Sequence, residues 1–143
     1  MSDDQLAWLV DIEALRRLPQ LYSRAIDARD FDRVAALFHP DATIDGARGS
    51  MAATAWVEGL RAAPSAFAQS MHVLGDPLID LAPGADEATM DTYATVYQLR
   101  DQGEVDPELL LGIRYTDDVV RHDGRWLISR RTSTMLWSRT LPQ

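Results

Sequence analysis

Apolar residues recur at helical spacing through the first third of the chain and give way to strand-like runs in the second half. Ile12, Leu15, Leu18, Tyr22 and Ile26 follow i, i+3, i+4 spacing and predict an amphipathic helix over Asp11 to Arg29. Asp11 can cap its start and Arg29 suits its last turn. Pro19 removes a helical hydrogen bond, so a bend there, or a restart near Leu18, is expected. Residues 4 to 10 add a short leading helix. Asp30 then caps a second helix, Phe31 to Phe38, which Pro40 stops. Ala42 to Asp45 is a short strand before Gly46. Ser50 to Gln69 is Ala-rich and reads as mostly helical, with an interruption near Pro64.

After that the period changes. Met71 to Leu74 opens a strand that resumes at Leu78 to Leu81, and Pro83-Gly84 marks a turn. Thr89 to Leu99 is rich in Thr, Tyr and Val and predicts a long strand. Residues 101 to 107 form a polar loop. Leu109 to Arg121 and Arg125 to Trp137 are two more long strands, joined by a hairpin turn at His122-Asp123-Gly124. Helices first and an antiparallel sheet afterwards define an α+β order. A strongly curved sheet covered on one face by helices leaves a concave space, and small ligands bind in such spaces.

Composition narrows the classes. The 143 residues fit one domain, and 46% are apolar, enough for a core. No apolar run reaches the roughly 20 residues that span a bilayer. Met1-Ser2-Asp3-Asp4 lacks the features of a signal peptide. Without Cys there is no disulfide framework and no thiolate metal site. A cytoplasmic location is the simplest expectation. The net charge of −8 disfavours nucleic-acid binding, and all 14 basic residues are Arg, which removes lysine Schiff-base chemistry. Zinc spacing, a phosphate-binding loop and a dinucleotide motif are all missing. Any chemistry is therefore expected to be proton transfer by side chains, with no cofactor and no metal.

Four positions can carry such chemistry. Asp27 sits near the helix C-terminus, where a carboxylate is disfavoured; alone it reads as a solvated helix-end acid. His72 opens a strand among apolar neighbours, while His39 and His122 fall in a loop and a turn. A lone His in such a place is ordinarily structural, unless a carboxylate fixes its tautomer and makes it a general base. Tyr22 precedes Asp27 by five residues, about 140° around a straight helix, so both reach one pocket only if the helix bends or ends near Asp27. Arg131 follows Arg130 on a strand. Alternation puts one of the two on the helix-covered face, where it needs a carboxylate or a ligand; Asp117 on the neighbouring strand is the structural alternative. Tyr93, Tyr97, Tyr115 and Trp137 are candidate pocket walls, though strand aromatics are ordinarily core.

The stretches Asp11-Ile12-Glu13-Ala14-Leu15, Leu21 to Asp27, Phe31 to Phe38 and Asp41-Ala42 resemble the start of SnoaL-like domains. So do the ending's Tyr115, the Arg121-His122-Asp123-Gly124-Arg125-Trp126 turn and Ser129-Arg130-Arg131. These domains belong to the nuclear transport factor 2-like superfamily. The resemblance implies a cone: N-terminal helices packed in a strongly curved, mostly antiparallel sheet around an internal pocket. Members include scytalone dehydratase, bile-acid 7α-dehydratase, hexachlorocyclohexane dehydrochlorinase, ketosteroid isomerase and polyketide cyclases. Binding and partner subunits also occur, so the fold does not name the reaction.

In the dehydratase and dehydrochlorinase branch, an Asp ending the first long helix pairs with a His on a later strand; Asp27 and His72 match. Tyr22 matches a Tyr five residues earlier, and Arg131 an Arg on the last strand. Pro19 departs from the pattern, and Asp117 is a candidate for a further acidic residue. The resemblance thus implies a cofactor-independent lyase acting on a small apolar molecule. An isomerase or cyclase with the same dyad, or a non-catalytic binding or partner subunit, are the alternatives. It also implies a homo-oligomer, dimer or trimer, formed across the sheet, with Met135-Leu136-Trp137 in that interface or closing the pocket.

Overall fold

The computed structural model describes residues 1–63, 65–104, 106 and 108–141. Helix α1 spans Asp3–Asp27 and α2 spans Phe31–Ala36. Strands β1 (Phe38–Gly46) and β2 (Gly49–Ala52) form a hairpin, and α3 covers Ala53–Ala62. The long strands follow: β3 Gln69–Leu74, β4 Leu78–Asp80, β5 Glu87–Leu99, β6 Glu108–His122 and β7 Arg125–Leu141. They build one curved seven-stranded sheet in the order β2-β1-β7-β6-β5-β3, with β4 also pairing β5. Every pairing is antiparallel except β1 with β7. The α+β cone expected from the chain is thus the observed architecture.

The first helix starts earlier than its periodicity suggests. Ser2 caps it by accepting from the Gln5 N–H, and the Gln5 side chain accepts from the Ser2 N–H, a reciprocal capping box. The helix then runs without interruption through Pro19, which is buried. Asp11 is therefore not a cap. It lies within α1 and accepts from both Arg121 Nη atoms, at 3.0 and 2.8 Å, and from Trp126 Nε1 at 3.0 Å. These bonds tie the helix to the β6–β7 hairpin. The Arg121 guanidinium holds the Asp11 carboxyl below the usual carboxylate range, against the opposing effect of burial, with the Trp126 N–H assisting.

Other boundaries moved as well. Asp30 caps α2 as expected, through the Arg33 N–H at 3.2 Å, but Phe38 already belongs to β1. Residues 49–52 are strand, not helix, because they fold back on Asp45 and Ile44. The expected break at Pro64 lies outside the described residues, as do Val105 and Pro107 of the 101–107 loop. The β6–β7 turn is the expected tight hairpin. His122 pairs with Arg125, and Asp123 and Gly124 both take positive φ, 48° and 75°, as a two-residue type I′ turn requires.

The core fills the concave side of the sheet. Leu15 and Leu18 of α1, Val34, Val57, Met90 and Ile128 are all buried there. Alternation along β5 buries Ala88, Met90, Thr92, Ala94 and Val96, so Tyr93 points to the opposite, outer face.

Candidate active site

Asp27 is the last residue of α1, so its side chain leaves the helix toward the neighbouring strand β3. On β3, Ser70 and His72 are two apart and share a face. Both meet the Asp27 carboxylate. His72 Nδ1 lies 2.6 Å from Asp27 Oδ1, the Ser70 hydroxyl donates to the same oxygen at 2.8 Å, and the His72 backbone N–H donates to Oδ2 at 2.8 Å. Three donors thus offset the unfavourable placement of a carboxylate at a helix C-terminus. They also leave Nδ1 as the nitrogen facing the acid, and Nε2 without a partner among the described residues. The His72 side chain is 9% exposed and that of Asp27 22%.

His72 lines a cavity of about 260 Å³. The other walls are mainly apolar: Tyr22 and Ile26 of α1, Phe31 of α2, Trp56 and Leu60 of α3, Phe67, and Val96, Leu111 and Ile113 of the sheet. Arg29, Ser65, Ser70 and Gln98 contribute its polar groups besides His72. Arg29 stands just after α1 with φ of 55° and donates to the carbonyls of Phe67 and Ala68. This ties the segment before β3 to the helix end.

Tyr22 joins the cavity to a buried polar layer. Its ring packs edge-on against His72 at 6.2 Å and lies stacked on Trp56 at 6.4 Å, centroid to centroid. Both Tyr22 and Asp27 reach the site because α1 ends at Asp27. Behind Tyr22, the Arg131 guanidinium lies between the Tyr22 and Tyr115 rings, 4.2 and 4.4 Å from their centroids. Asp117 holds it through two bonds of 2.8 Å, Nε to Oδ1 and Nη2 to Oδ2, while Nη1 is buried with no partner among the described residues. Burial works against the Arg131 charge, yet the Asp117 carboxylate raises its pKa above the ordinary value. Burial pushes the Tyr22 phenol up, against the Arg131 cation, and pushes Tyr115 up likewise.

The sequence-derived candidates therefore divide. Asp27, His72 and Tyr22 come together at the cavity. Arg131, Tyr115 and Asp117 sit one layer deeper and do not line it. Tyr93, Tyr97 and Trp137 do not face this cavity. They fall on the outer face, since His72 pairs Val96 and successive strand residues alternate. Tyr93 is 61% exposed, and the Trp137 ring lies over Gly112, where a Cβ would come within 2.2 Å of Cε2. Arg130 takes the outer side of its pair and binds Asp45 at 2.7 Å. His39 and His122 pack edge-on against each other, away from the cavity, at 4.6 Å. Ser70, Trp56, Phe67 and Gln98 went unread in the sequence. Only Ser70 carried a signal, its position two residues before His72.

The fold is a curved α+β cone in which a helix-end acid and a strand imidazole meet beside a cavity. Residues 8–132 match the model of the SnoaL-like domain, and the chain belongs to that family. Several solved structures share the fold. A Novosphingobium aromaticivorans protein provisionally named scytalone dehydratase is 24% identical, covers 100% of this chain and 93% of its own, and has a TM-score of 0.82. LinA is 20% identical over 96% of this chain and 94% of its own, with a TM-score of 0.84. A hexachlorocyclohexane dehydrochlorinase, LinA-type3 from Novosphingobium barchaimii, is 20% identical over 98% and 94%, with a TM-score of 0.79. At these identities the likeness speaks for the fold. No curated protein matches the chain. Among the described residues no helix is long and apolar enough to cross a membrane.

Proposed function

We propose that this chain is a cofactor-independent lyase that eliminates water or halide from a small, largely apolar molecule. The observation that carries the reading is the 2.6 Å contact between His72 Nδ1 and Asp27 Oδ1, with the same imidazole lining a 260 Å³ cavity. The carboxylate keeps the proton on Nδ1 and leaves Nε2 free to accept one from carbon. A hydrogen beside an electron-withdrawing group passes to Nε2. The C–H electron pair becomes the new double bond, and the group on the adjacent carbon departs with its own pair. A departing hydroxide takes a proton from the imidazolium and leaves as water; a halide leaves as the anion, and the imidazolium returns its proton to solvent. Asp27 stabilises the imidazolium between these steps.

Tyr22 is the nearer of the two candidate helpers for the leaving group, because its ring touches His72 and lines the cavity. Arg131, its charge balanced by Asp117, supports Tyr22 from behind through the face of the ring. The cavity is smaller than the roughly 300 Å³ where drug-sized sites begin, which favours a substrate of one or two rings. Asp27 turned inward onto His72 argues against a non-catalytic partner subunit, in which that acid would face water. The apolar outer face, with Met71, Val73, Tyr93, Leu136 and Trp137 exposed, supports assembly of the chain with copies of itself.

A panel of small β-hydroxy and β-halo carbonyl compounds tests the reading. Wild-type protein should release water or halide from at least one of them, and His72→Ala should lower that rate by about 10²- to 10⁴-fold with the fold intact. Product isomeric with the substrate would instead mean an isomerase, and equal rates in both proteins would remove His72 from the chemistry.

A further inference from the structure

Most of the cavity's polar groups are already committed. The Ser70 hydroxyl is given to Asp27, and the Ser65 hydroxyl accepts from the Phe67 N–H at 3.1 Å. Arg29 is spent on the Phe67 and Ala68 carbonyls, and His72 Nδ1 on Asp27. Gln98 is different. It sits on β5 directly across from Ser70, two residues beyond Val96, which pairs with His72. It lines the cavity, yet its carboxamide has no hydrogen-bond partner among the described residues. A primary amide offers two N–H donors and a carbonyl acceptor.

An uncommitted amide in a mainly apolar cavity discriminates between ligands. A purely apolar ligand would strip water from it and give nothing back, whereas an oxygen on the ligand would replace that water. Strand register sets the spacing of the two positions. Gln98 and Ser70 are one cross-strand pair, and His72 and Val96 the next inner-face pair, so the backbone positions of Gln98 and His72 are about 7 Å apart along the strand direction. A molecule of one or two rings spans that distance.

We infer that Gln98 is a specificity residue, and that the site takes oxygenated ring compounds, carbonyl or hydroxyl, with the oxygen held at Gln98 while the reacting C–H faces His72. This rests on the lyase reading for the identity of the reacting end, and on the lining alone for the oxygen. It favours loss of water from a hydroxy ketone or an alcohol over loss of halide from a hydrocarbon.

Binding of two probes of one shape, 1-indanone and indane, tests it without turnover. Dissociation constants are measured by NMR titration for wild type, Gln98→Met and Gln98→Leu, each first checked for native circular dichroism. The ratio of the indane constant to the 1-indanone constant should fall by about three- to tenfold in both variants, as loss of one hydrogen bond implies. It should be unchanged in His72→Ala. An unchanged ratio in the Gln98 variants, or no binding of either probe to wild type, overturns the assignment. A protein that discriminates the probes but turns nothing over keeps the assignment and loses the lyase reading.

Discussion

Arg131 and Asp117 form a bidentate ion pair across β7 and β6 in which both side chains are shut off from water, at 2% and 0% exposure. Such a pair adds little by its own attraction, since desolvating two charges offsets the Coulombic gain. Breaking it is another matter, because the surviving charge stays buried and unpaired.

Asp117→Asn should therefore lower unfolding free energy by about 3–5 kcal/mol. The double variant Asp117→Leu with Arg131→Met should recover most of that loss. Urea denaturation of the two variants checks this, and equal instability in both would show that the charges themselves are needed.

A second prediction concerns acid. Asp11 is held below the ordinary 3.8 by Arg121, with Trp126 assisting. Its stabilising effect is thus fully present above 3.8 and is lost as pH falls through the lower folded value. Asp11→Asn should cost about 1–2 kcal/mol at pH 7, the worth of hydrogen bonds to a charged, partly buried group. The gap from wild type should close as pH falls below about 4. Thermal melts of both proteins between neutral and acid pH measure it; a gap that widens on acidification would reverse the sign argued here.

Ser70 supplies a third. Its hydroxyl fixes one carboxylate oxygen of Asp27, so Ser70→Ala should let the acid turn and the imidazole lose its single tautomer. Long-range proton–nitrogen NMR should then show His72 Nε2–H in the variant and only Nδ1–H in wild type. Turnover should fall about tenfold in kcat with little change in KM, and Ser70→Thr should restore it. A variant with wild-type kcat and an unchanged tautomer would make Ser70 a bystander.

The sequence made the element types legible wherever periodicity ran long. The three long strands and the positive-φ turn at Asp123-Gly124 follow from alternation and turn chemistry alone. Splitting Arg130 from Arg131 also needs only alternation. What was hidden depends on partners in space. Strand β1 passes through Pro40, which sits where the register with β7 shifts between Phe38 and Thr43, so a proline that looks like a stop is absorbed by an irregular pairing. The Ser2–Gln5 capping box was present in the sequence, but the stronger apolar rhythm after Asp11 obscured it. Tyr93, Tyr97 and Trp137 were open as pocket walls or core, because alternation says which residues share a side, not which side is inner. Only the pairing of His72 with Val96 settles that.

The account depends on Asp27 and His72 acting as one unit across 45 positions of sequence. A double-mutant cycle in turnover tests this most directly. Asp27→Asn and His72→Ala should each lower kcat by about 10²- to 10⁴-fold, and the double variant should be no slower than His72→Ala. Losses that multiply in the double variant would mean that the two residues work independently, and would contradict the account.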